Sequence, residues 1–353
     1  MQRHPALRRT GSGRSRMARR GLVARSASTG EPVDTTIRLN QGERVRAVLN
    51  SSLVALALIV LVGVFGIASP YFLTSANLFR VVQQVAVVAV LAVGQAMVII
   101  TGGIDLSEAA VVPLAAVVAA MVMNSQHSVA AGVAAGVLTG AVVGTVNGLL
   151  VTRLKLPPFI ATLATFSAAD GSALLLTGGQ PVFNIPPAFS SFGSGGVLGI
   201  PYMTLVALLL AILMQFVLTA TPFGRHVYAV GSNPLAARLA GLRNERLLGS
   251  VYVISGLMSG IGGLLLTAYV STAQPSEALN SELDAIAAVV IGGASLFGGE
   301  GTIWGAMLGA LLLAVLNNGT DLLGISTYVQ TVLLGVVVAG AVAVDNVRRR
   351  ARY

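Results

Sequence analysis

Long apolar stretches alternate with short polar segments from Leu53 to the end of the chain. A bilayer core about 30 Å thick needs about 20 helical residues per crossing. The pattern predicts ten spans, at residues 50–68, 78–100, 108–123, 129–151, 159–177, 202–220, 250–272, 284–298, 303–318 and 326–344. The predicted fold class is therefore an all-α polytopic membrane protein with about ten transmembrane helices.

Glycine breaks border the two shortest predicted spans, 108–123 and 284–298. One break precedes the first of these spans and contains Gly102 and Gly103, and the other, at 298–301, follows the second. Non-helical backbone at membrane depth is tolerated only against protein or along a water-filled path. The breaks are therefore either linings of a translocation pathway or tight turns at the membrane interface.

Glycines recur at every fourth position in two predicted spans: Gly132, Gly136, Gly140, Gly144 and Gly148 in one, and Gly301, Gly305 and Gly309 in the other. On a helix this spacing makes a groove that another backbone can approach closely. The first helix ends near Asn147 and the later one near Asn317 and Asn318, on opposite faces of the predicted membrane. These similarities predict an inverted repeat that pairs spans 2–5 with spans 7–10, a plan common in transporters.

Arginine residues are concentrated in the two tails. Residues 1–47 contain 11 Arg and 3 acids and residues 345–353 contain 4 Arg and 1 acid, whereas 48–344 contain 7 basic and 9 acidic residues. By the positive-inside rule, both termini and the loop 221–249 are cytoplasmic. The predicted divisions are a tail at 1–47, a transmembrane domain at 48–345 and a basic tail at 346–353. Arginine-rich tails can bind nucleic acid, but their retention on the cytoplasmic side of the membrane explains them here, and no nucleic acid partner is expected.

The first 30 or so residues are rich in Arg, Ser and Gly and contain no apolar run, so they cannot form a secretory signal. We expect this segment to be disordered. Its composition also resembles an organellar transit peptide, and Met17 is an alternative start of translation.

Composition excludes a water-soluble fold. Hydrophobic residues make up 55% of the 353 residues, charged residues 10%, and the mean hydropathy is +0.82. With no cysteine in the chain, disulfides, thiolate catalysis and cysteine metal sites are excluded. The single lysine, Lys155, belongs to no phosphate-binding loop, and the three histidines have no metal-ligand spacing. We therefore expect no catalytic site, metal or cofactor in this chain, and no hydrolysis of ATP by it.

Three acidic residues lie within or beside predicted spans, where ionisable groups are costly. Asp105 and Glu108 are three apart at the start of span 3, the spacing of a capping box with Asp105 at the N-cap. Asp170 is about eleven residues into span 5 and should face the bundle interior. It is expected either to bond Thr165, Ser167 and Ser172 or to line a path.

The loop 221–249 predicts a short cytoplasmic helix. Ser232 or Asn233 can cap it, Pro234 suits its first position and Gly241 its C-terminal stop. Small side chains at Ala236, Ala237 and Ala240 allow close docking in a groove of a partner protein, and Arg238 and Arg243 can pair with a partner's acids. A surface connector without a partner is the alternative.

Several motifs occur in the order found in the permease subunits of ribose, xylose, arabinose and galactoside-type ABC importers, which the chain resembles from about residue 70 to 345. They are 94–107 (GQAMVIITGGIDLS), 158–163 (PFIATL), 177–181 (TGGQP), 223–233 (FGR followed by YAVGSN), 236–241 (AARLAG), and 316–324 (LNNG followed by LLG).

The resemblance implies a type II ABC importer permease of the bacterial plasma membrane that dimerises with itself or a paralogue. It also implies a sugar-binding protein outside the cell and a separate ATPase subunit that holds ATP and Mg. Residues 232–241 would be the coupling helix that inserts into the ATPase, with the contact residues Gly231, Ser232, Asn233, Ala236, Ala237, Arg238 and Gly241. The pathway candidates are Gly102, Gly103, Asp105, Glu108, Asn147, Asp170, Asn317 and Asn318.

The chain departs from the family pattern at Glu108, Asp170 and Pro234, so no particular sugar follows from the resemblance. Two other functions remain as alternatives. One is a secondary transporter driven by a proton or sodium gradient, and the other is a branched-chain amino acid permease within the ABC class.

Overall fold

Helices dominate the part of the chain that the structure describes. The computed structural model describes residues 41–276 and 281–350, where it contains thirteen helices and one two-stranded hairpin. The helices are α1 Gln41–Ala68, α2 Ser75–Ile100, α3 Glu108–Gln126, α4 Val129–Thr152, α5 Pro158–Thr177, α6 Pro187–Ser194, α7 Tyr202–Ala220, α8 Pro222–Ser232, α9 Pro234–Leu239, α10 Asn244–Val270, α11 Ser281–Ile291, α12 Ile303–Leu322 and α13 Thr327–Arg350. The hairpin pairs β1, Gly196–Val197, with β2, Ile200–Pro201.

Seven of the described helices are long and apolar enough to cross a membrane, namely α2, α3, α4, α5, α7, α10 and α12. Each coincides with a predicted span. The described apolar parts of α1 and α13, Val54–Ala68 and Thr327–Gly340, coincide with the first and last predicted spans. The predicted all-α membrane fold is confirmed. The tail predicted at 1–47 lies outside the described residues as far as residue 40, and the described part of α1 starts at Gln41.

The two spans predicted to be short differ from each other in the structure. The third span is a full crossing, because α3 continues to Gln126 over 19 residues. The prediction of a helix over 284–298 is wrong, because α11 ends at Ile291. At 1.5 Å per residue its 11 described residues span about 16 Å, roughly half of a bilayer core. Gly293, with a φ of +95°, turns the chain just after α11.

The pairing of helices follows the predicted inverted repeat, in which α2–α5 corresponds to α10–α13. Helix α10 packs against α3 and α4 of the first repeat, and α2 packs against α11 and α12 of the second. The two exchanged helices also pack against each other. Each repeat therefore has its first helix packed within the other repeat.

Glycines allow helices to come into backbone contact in both repeats. A Cβ on Gly140 of α4 would collide with the carbonyl oxygen of Gly256 in α10, and one on Gly309 of α12 with the carbonyl oxygen of Ala288 in α11. The backbones therefore touch, and the predicted use of both glycine runs in helix packing is confirmed.

Candidate functional site

A fully buried polar network connects the loop before α3 to α4 and α5. Asp105 is 1% exposed, and its Oδ1 accepts hydrogen bonds from the backbone nitrogen and the hydroxyl of Ser107, at 2.9 and 2.6 Å. The Ser107 hydroxyl accepts a bond from Asn147 Nδ2 at 2.8 Å. The Asn147 Oδ1 accepts a bond from the Thr165 hydroxyl. The network therefore holds α4 and α5 to the loop that follows α2.

Two carboxyl groups meet at one hydroxyl of α10. The Ser255 hydroxyl lies 2.8 Å from Asp105 Oδ2 and 3.1 Å from Glu108 Oε1. Glu108 is 0% exposed and Ser255 is also 0% exposed. Burying ionisable groups is costly unless hydrogen bonds stabilise them. This geometry makes Ser255 the link between the second repeat and both acids of the first.

The predicted capping box is not formed. Ser107 occupies the N-cap of α3 and Glu108 is the first helical residue, so Asp105 lies two residues before the cap. Asp105 instead accepts the bonds of Ser107 in a tight turn. Because the chain turns between Asp105 and the start of α3, the two acids do not cap the helix. Both instead contact Ser255 of α10.

Asp170 does not form the hydrogen bonds that were one of the two predictions for it. Its side chain is half-buried on α5, and it makes none of the predicted bonds. Ser167 and Ser172 donate to backbone carbonyl oxygens of their own helix, and Thr165 donates to Asn147. The alternative, that Asp170 lines a path, stays a prediction.

Asn317 and Asn318, near the end of α12, make different contacts. Asn318 and Asn77 exchange two side-chain hydrogen bonds, of 2.8 and 3.0 Å, at the start of α2. The Asn147 network lies beyond the other end of α2, so the two asparagine sites are at opposite ends of that helix, as predicted. Asn317 is half-buried and lines a cavity between α2, α11, α12 and α13.

The loop predicted over 221–249 contains α8, α9 and the start of α10. Asn233 caps α9, since its Oδ1 accepts a bond from the backbone nitrogen of Ala236 at 2.9 Å. Gly241, with a φ of +90°, follows the helix end. The short capped helix is confirmed, with Asn233 as the cap, while Ser232 ends α8.

The faces of α9 differ from the prediction. Ala237 is 5% exposed and belongs to the main core, so its expected position on an outer docking face is wrong. The outer side chains include Leu235, 68% exposed, and Leu239, 80% exposed, together with Ala236 and Arg238. Residues four apart share a helix face, so the two leucines form an exposed apolar pair.

Both glycine breaks meet beside the end of α8. The backbone nitrogen of Gly299 donates to the carbonyl oxygen of Ile100 at 2.8 Å. A Cβ on Gly231 would collide with that same oxygen, and a Cβ on Gly298 would lie 3.0 Å from Gly102 Cα. The breaks are therefore packed against each other and against α8, which precedes α9 by a single residue.

A tyrosine of α8 fixes the second break. Tyr228 donates its phenolic hydrogen to the carbonyl oxygen of Gly301 at 2.7 Å. Burial raises the pKa of Tyr228 above its ordinary value of 10.0, so the phenol remains protonated and keeps its donor. This bond joins α8 to the turn that precedes α12.

Sequence reasoning missed Ser107 and Ser255 as partners of the acids. It also missed Asp284, which lines the same cavity as Asn317. An acid inside a predicted span is itself a signal of function, so Asp284 was detectable. Within the described residues, no group of three His, Asp or Glu side chains is arranged to hold a metal ion.

Replacing Ser255 with alanine is expected to destabilise the folded bundle. The change removes the donor to Asp105 Oδ2, and leaving a buried polar atom unsatisfied costs about 1–3 kcal/mol. Thermal unfolding in detergent should show a lower Tm, whereas Ser250→Ala, at an exposed serine that bonds only its own helix, should leave it unchanged. An equal Tm for Ser255→Ala and wild type would contradict a stabilising role for the Ser255 hydrogen bond to Asp105.

Residues 77–342 match the family described as the branched-chain amino acid transport system permease component. The ribose import permease protein of Bacillus subtilis (strain 168) is 44% identical over 294 residues, covering 82% of the chain and 91% of that protein. The ribose import permease protein of Escherichia coli (strain K12) is 39% identical, covering 82% and 92%. The D-allose transport system permease protein of the same strain is 35% identical, covering 82% and 89%. No solved structure gives a significant match.

Proposed function

This chain belongs to the family of branched-chain amino acid transport system permease components, and we propose that it forms the translocation pathway of an ABC importer for a monosaccharide. The observation that carries the proposal is the similarity to sugar permeases over more than four-fifths of the chain. The family description names branched-chain amino acids, whereas these relatives are named for ribose and allose. The substrate class is therefore assigned from the relatives.

The chain works as one part of an assembly. A separate ATPase subunit holds ATP and Mg²⁺, an extracytoplasmic binding protein delivers the sugar, and a second permease copy, identical or paralogous, completes the pathway. The arginine-rich tails and the loop with α8 and α9 face the cytoplasm, where ATP is available. The chain is a multi-pass protein of the bacterial inner membrane.

The coupling surface in this proposal is the outer face of α9. Leu235 and Leu239 project from it, and Arg238 is exposed beside them. An exposed apolar pair next to a cation suits a groove that has acids at its rim. These two leucines replace Ala237 as the residues that contact the ATPase.

Movement of α9 has a direct route to the buried network. The α8 end touches Ile100 and the second glycine break, and the chain from Ile100 leads within five residues to Asp105. ATP-driven closure of the partner would displace α9, shift the two breaks and rearrange the Asp105 network that joins the repeats. The outcome is alternating access of the central path.

The proposal predicts ATP-dependent uptake of a sugar. The tagged permease, purified gently from its own membrane, should carry an ATPase and a binding protein identifiable by mass spectrometry. Proteoliposomes containing the assembly should accumulate labelled D-ribose, D-allose or L-arabinose only with ATP. Uptake of leucine alone would assign the amino acid alternative, and uptake without ATP under a proton or sodium gradient would overturn the ABC mechanism.

A further inference from the structure

A polar cavity lies on the half of the bundle remote from α8 and α9. Its volume is about 290 Å³, near the lower end of the roughly 300–1,000 Å³ of small-molecule pockets. The lining residues are Gln84 and Val88 of α2, Asp284 of α11, Leu313, Ala314, Asn317 and Asp321 of α12, and Thr327 and Gln330 of α13.

The lining changes from polar to apolar with depth. Asp321, Asn317 and Leu313 are spaced four residues apart along α12, so they descend one face by about 12 Å. Asp321 is exposed at the mouth and Leu313 is buried at the floor. A small solute that enters therefore meets carboxylate and amide groups first and an apolar floor beneath them.

One buried polar atom in the lining of this cavity has no hydrogen-bond partner within the described residues. Asp284 Oδ1 is buried and accepts no hydrogen bond. A buried polar atom without a partner is unfavourable and requires an explanation, such as a ligand. Asp321 is engaged by Gln330 Nε2 at 2.6 Å, which holds the mouth of the cavity in a fixed shape.

The inverted repeat relates this cavity to the buried Asp105 network. That network draws its side chains from α3, α4, α5 and α10, and the cavity draws its lining from α11, α12, α13 and α2, which are the corresponding helices. Acid and amide groups occur in both, Glu108 and Asn147 in one and Asp284 and Asn317 in the other. The cavity is thus the counterpart, in the second repeat, of the network in the first.

The Asp105 network and the cavity differ in the number of hydroxyl groups near their acid and amide groups. In the Asp105 network the hydroxyls of Ser107, Thr165 and Ser255 bridge the acids and the amide. In the cavity the acid Asp284 and the amide Asn317 face open volume, and the one lining hydroxyl is that of Thr327, exposed at the mouth. A ligand that supplies several hydroxyl groups would complete the second repeat as side chains complete the first.

We propose that this cavity is a binding subsite for a monosaccharide, in which sugar hydroxyls donate to Asp284 and bond the amides of Asn317 and Gln84. This inference rests on the proposed function and adds a site to it. Carboxylates accept strong hydrogen bonds from hydroxyl donors, and the volume equals that of about ten waters at about 30 Å³ each. The apolar floor at Leu313 and Ala314 faces the carbon atoms of the sugar ring.

Single cysteines test the subsite, because the chain has no cysteine of its own. Asn317→Cys is placed in the otherwise unchanged permease, reconstituted with its ATPase in proteoliposomes, and treated with a water-soluble methanethiosulfonate. D-ribose on both sides should slow labelling about threefold at twice its Kd, as expected for simple occupancy. D-allose and L-arabinose are the second and third probes, and sorbitol at equal osmolarity is the solute control.

Two further variants make the test specific. Tyr328→Cys adjoins the mouth, with the native side chain 86% exposed, and its labelling should not respond to sugar. Asp284→Asn in the Asn317→Cys background replaces a charged acceptor with a neutral one, so half-protection should require about tenfold more sugar.

The outcomes separate this inference from the proposed function. If the assembly takes up one of the sugars with ATP while none of the three sugars protects Asn317→Cys, the subsite is wrong and the importer stands. Protection without uptake supports the subsite and overturns the importer. With neither uptake nor protection, both are wrong.

Discussion

Replacing Leu239 with glutamate is expected to abolish ATP-driven uptake and leave the permease folded. Leu239 is 80% exposed at the end of α9, so a carboxylate there remains in water in the isolated chain. In the assembly it would be buried against the ATPase, where an uncompensated charge costs about 3–5 kcal/mol. At 1.4 kcal/mol per factor of ten, association should weaken roughly 100-fold or more. Uptake into proteoliposomes and co-purification of the ATPase measure the effect.

Ala237 supplies the contrasting variant on the same helix. Because Ala237 is buried in the permease core, Ala237→Glu should lower the Tm of the permease itself, which Leu239→Glu should not do. Leu239→Met preserves the apolar surface and should retain uptake. Normal uptake by Leu239→Glu would mean that the ATPase binds elsewhere.

Replacing Gly140 with alanine is expected to prevent stable packing of the bundle. The added methyl group collides with the carbonyl oxygen of Gly256, and Gly260 lies directly beside it. Backbone atoms cannot change rotamer to make room, so α4 and α10 must separate. Overpacking of this kind lowers the free energy of unfolding by about 1–3 kcal/mol and occasionally more. We expect a value near ~3 kcal/mol here, because the collision is with backbone atoms. The measurement is the Tm and the yield of monodisperse protein in detergent.

Gly335 on α13 provides a matched control. A Cβ at this position meets no atom within 4 Å, so Gly335→Ala removes a helical glycine without creating a collision. Its Tm should equal or exceed that of wild type, since alanine is the better helix former by about 1 kcal/mol. If Gly140→Ala were as stable as Gly335→Ala, the close approach of α4 and α10 would be incorrect.

Most of the bundle was predictable because the bilayer imposes length and hydropathy on each crossing. Helices α4, α5 and α7 match their predicted spans within one residue. The fourfold spacing of glycines identified in advance two interfaces at which helix backbones touch. Capping chemistry located α9, since Asn233 and Gly241 define the ends of a short helix independently of tertiary contacts.

Other features depend on contacts between residues far apart in sequence. The six residues of α9 do not determine which face is covered, so the sequence could not distinguish buried Ala237 from exposed Leu239. Asp105 and Glu108 have the spacing of a local cap, and only the approach of Ser255, 150 residues later, shows their connection. The packing of the 298–301 break against the end of α2 likewise shows only in the structure, where the Gly299 backbone nitrogen donates to the carbonyl oxygen of Ile100.

The exchange of α2 and α10 between the repeats constrains how the chain is made. When ribosomal synthesis has completed α5, the glycine face of α4 and the Asp105 carboxyl still lack α10, and Asn77 still lacks a partner 241 residues away. Contacts of such sequence separation form late and slowly. We therefore expect the nascent first half to remain loosely assembled until α10 is made. A fragment ending after α7 should be an efficient target of membrane proteases, and neither repeat is an independent folding unit.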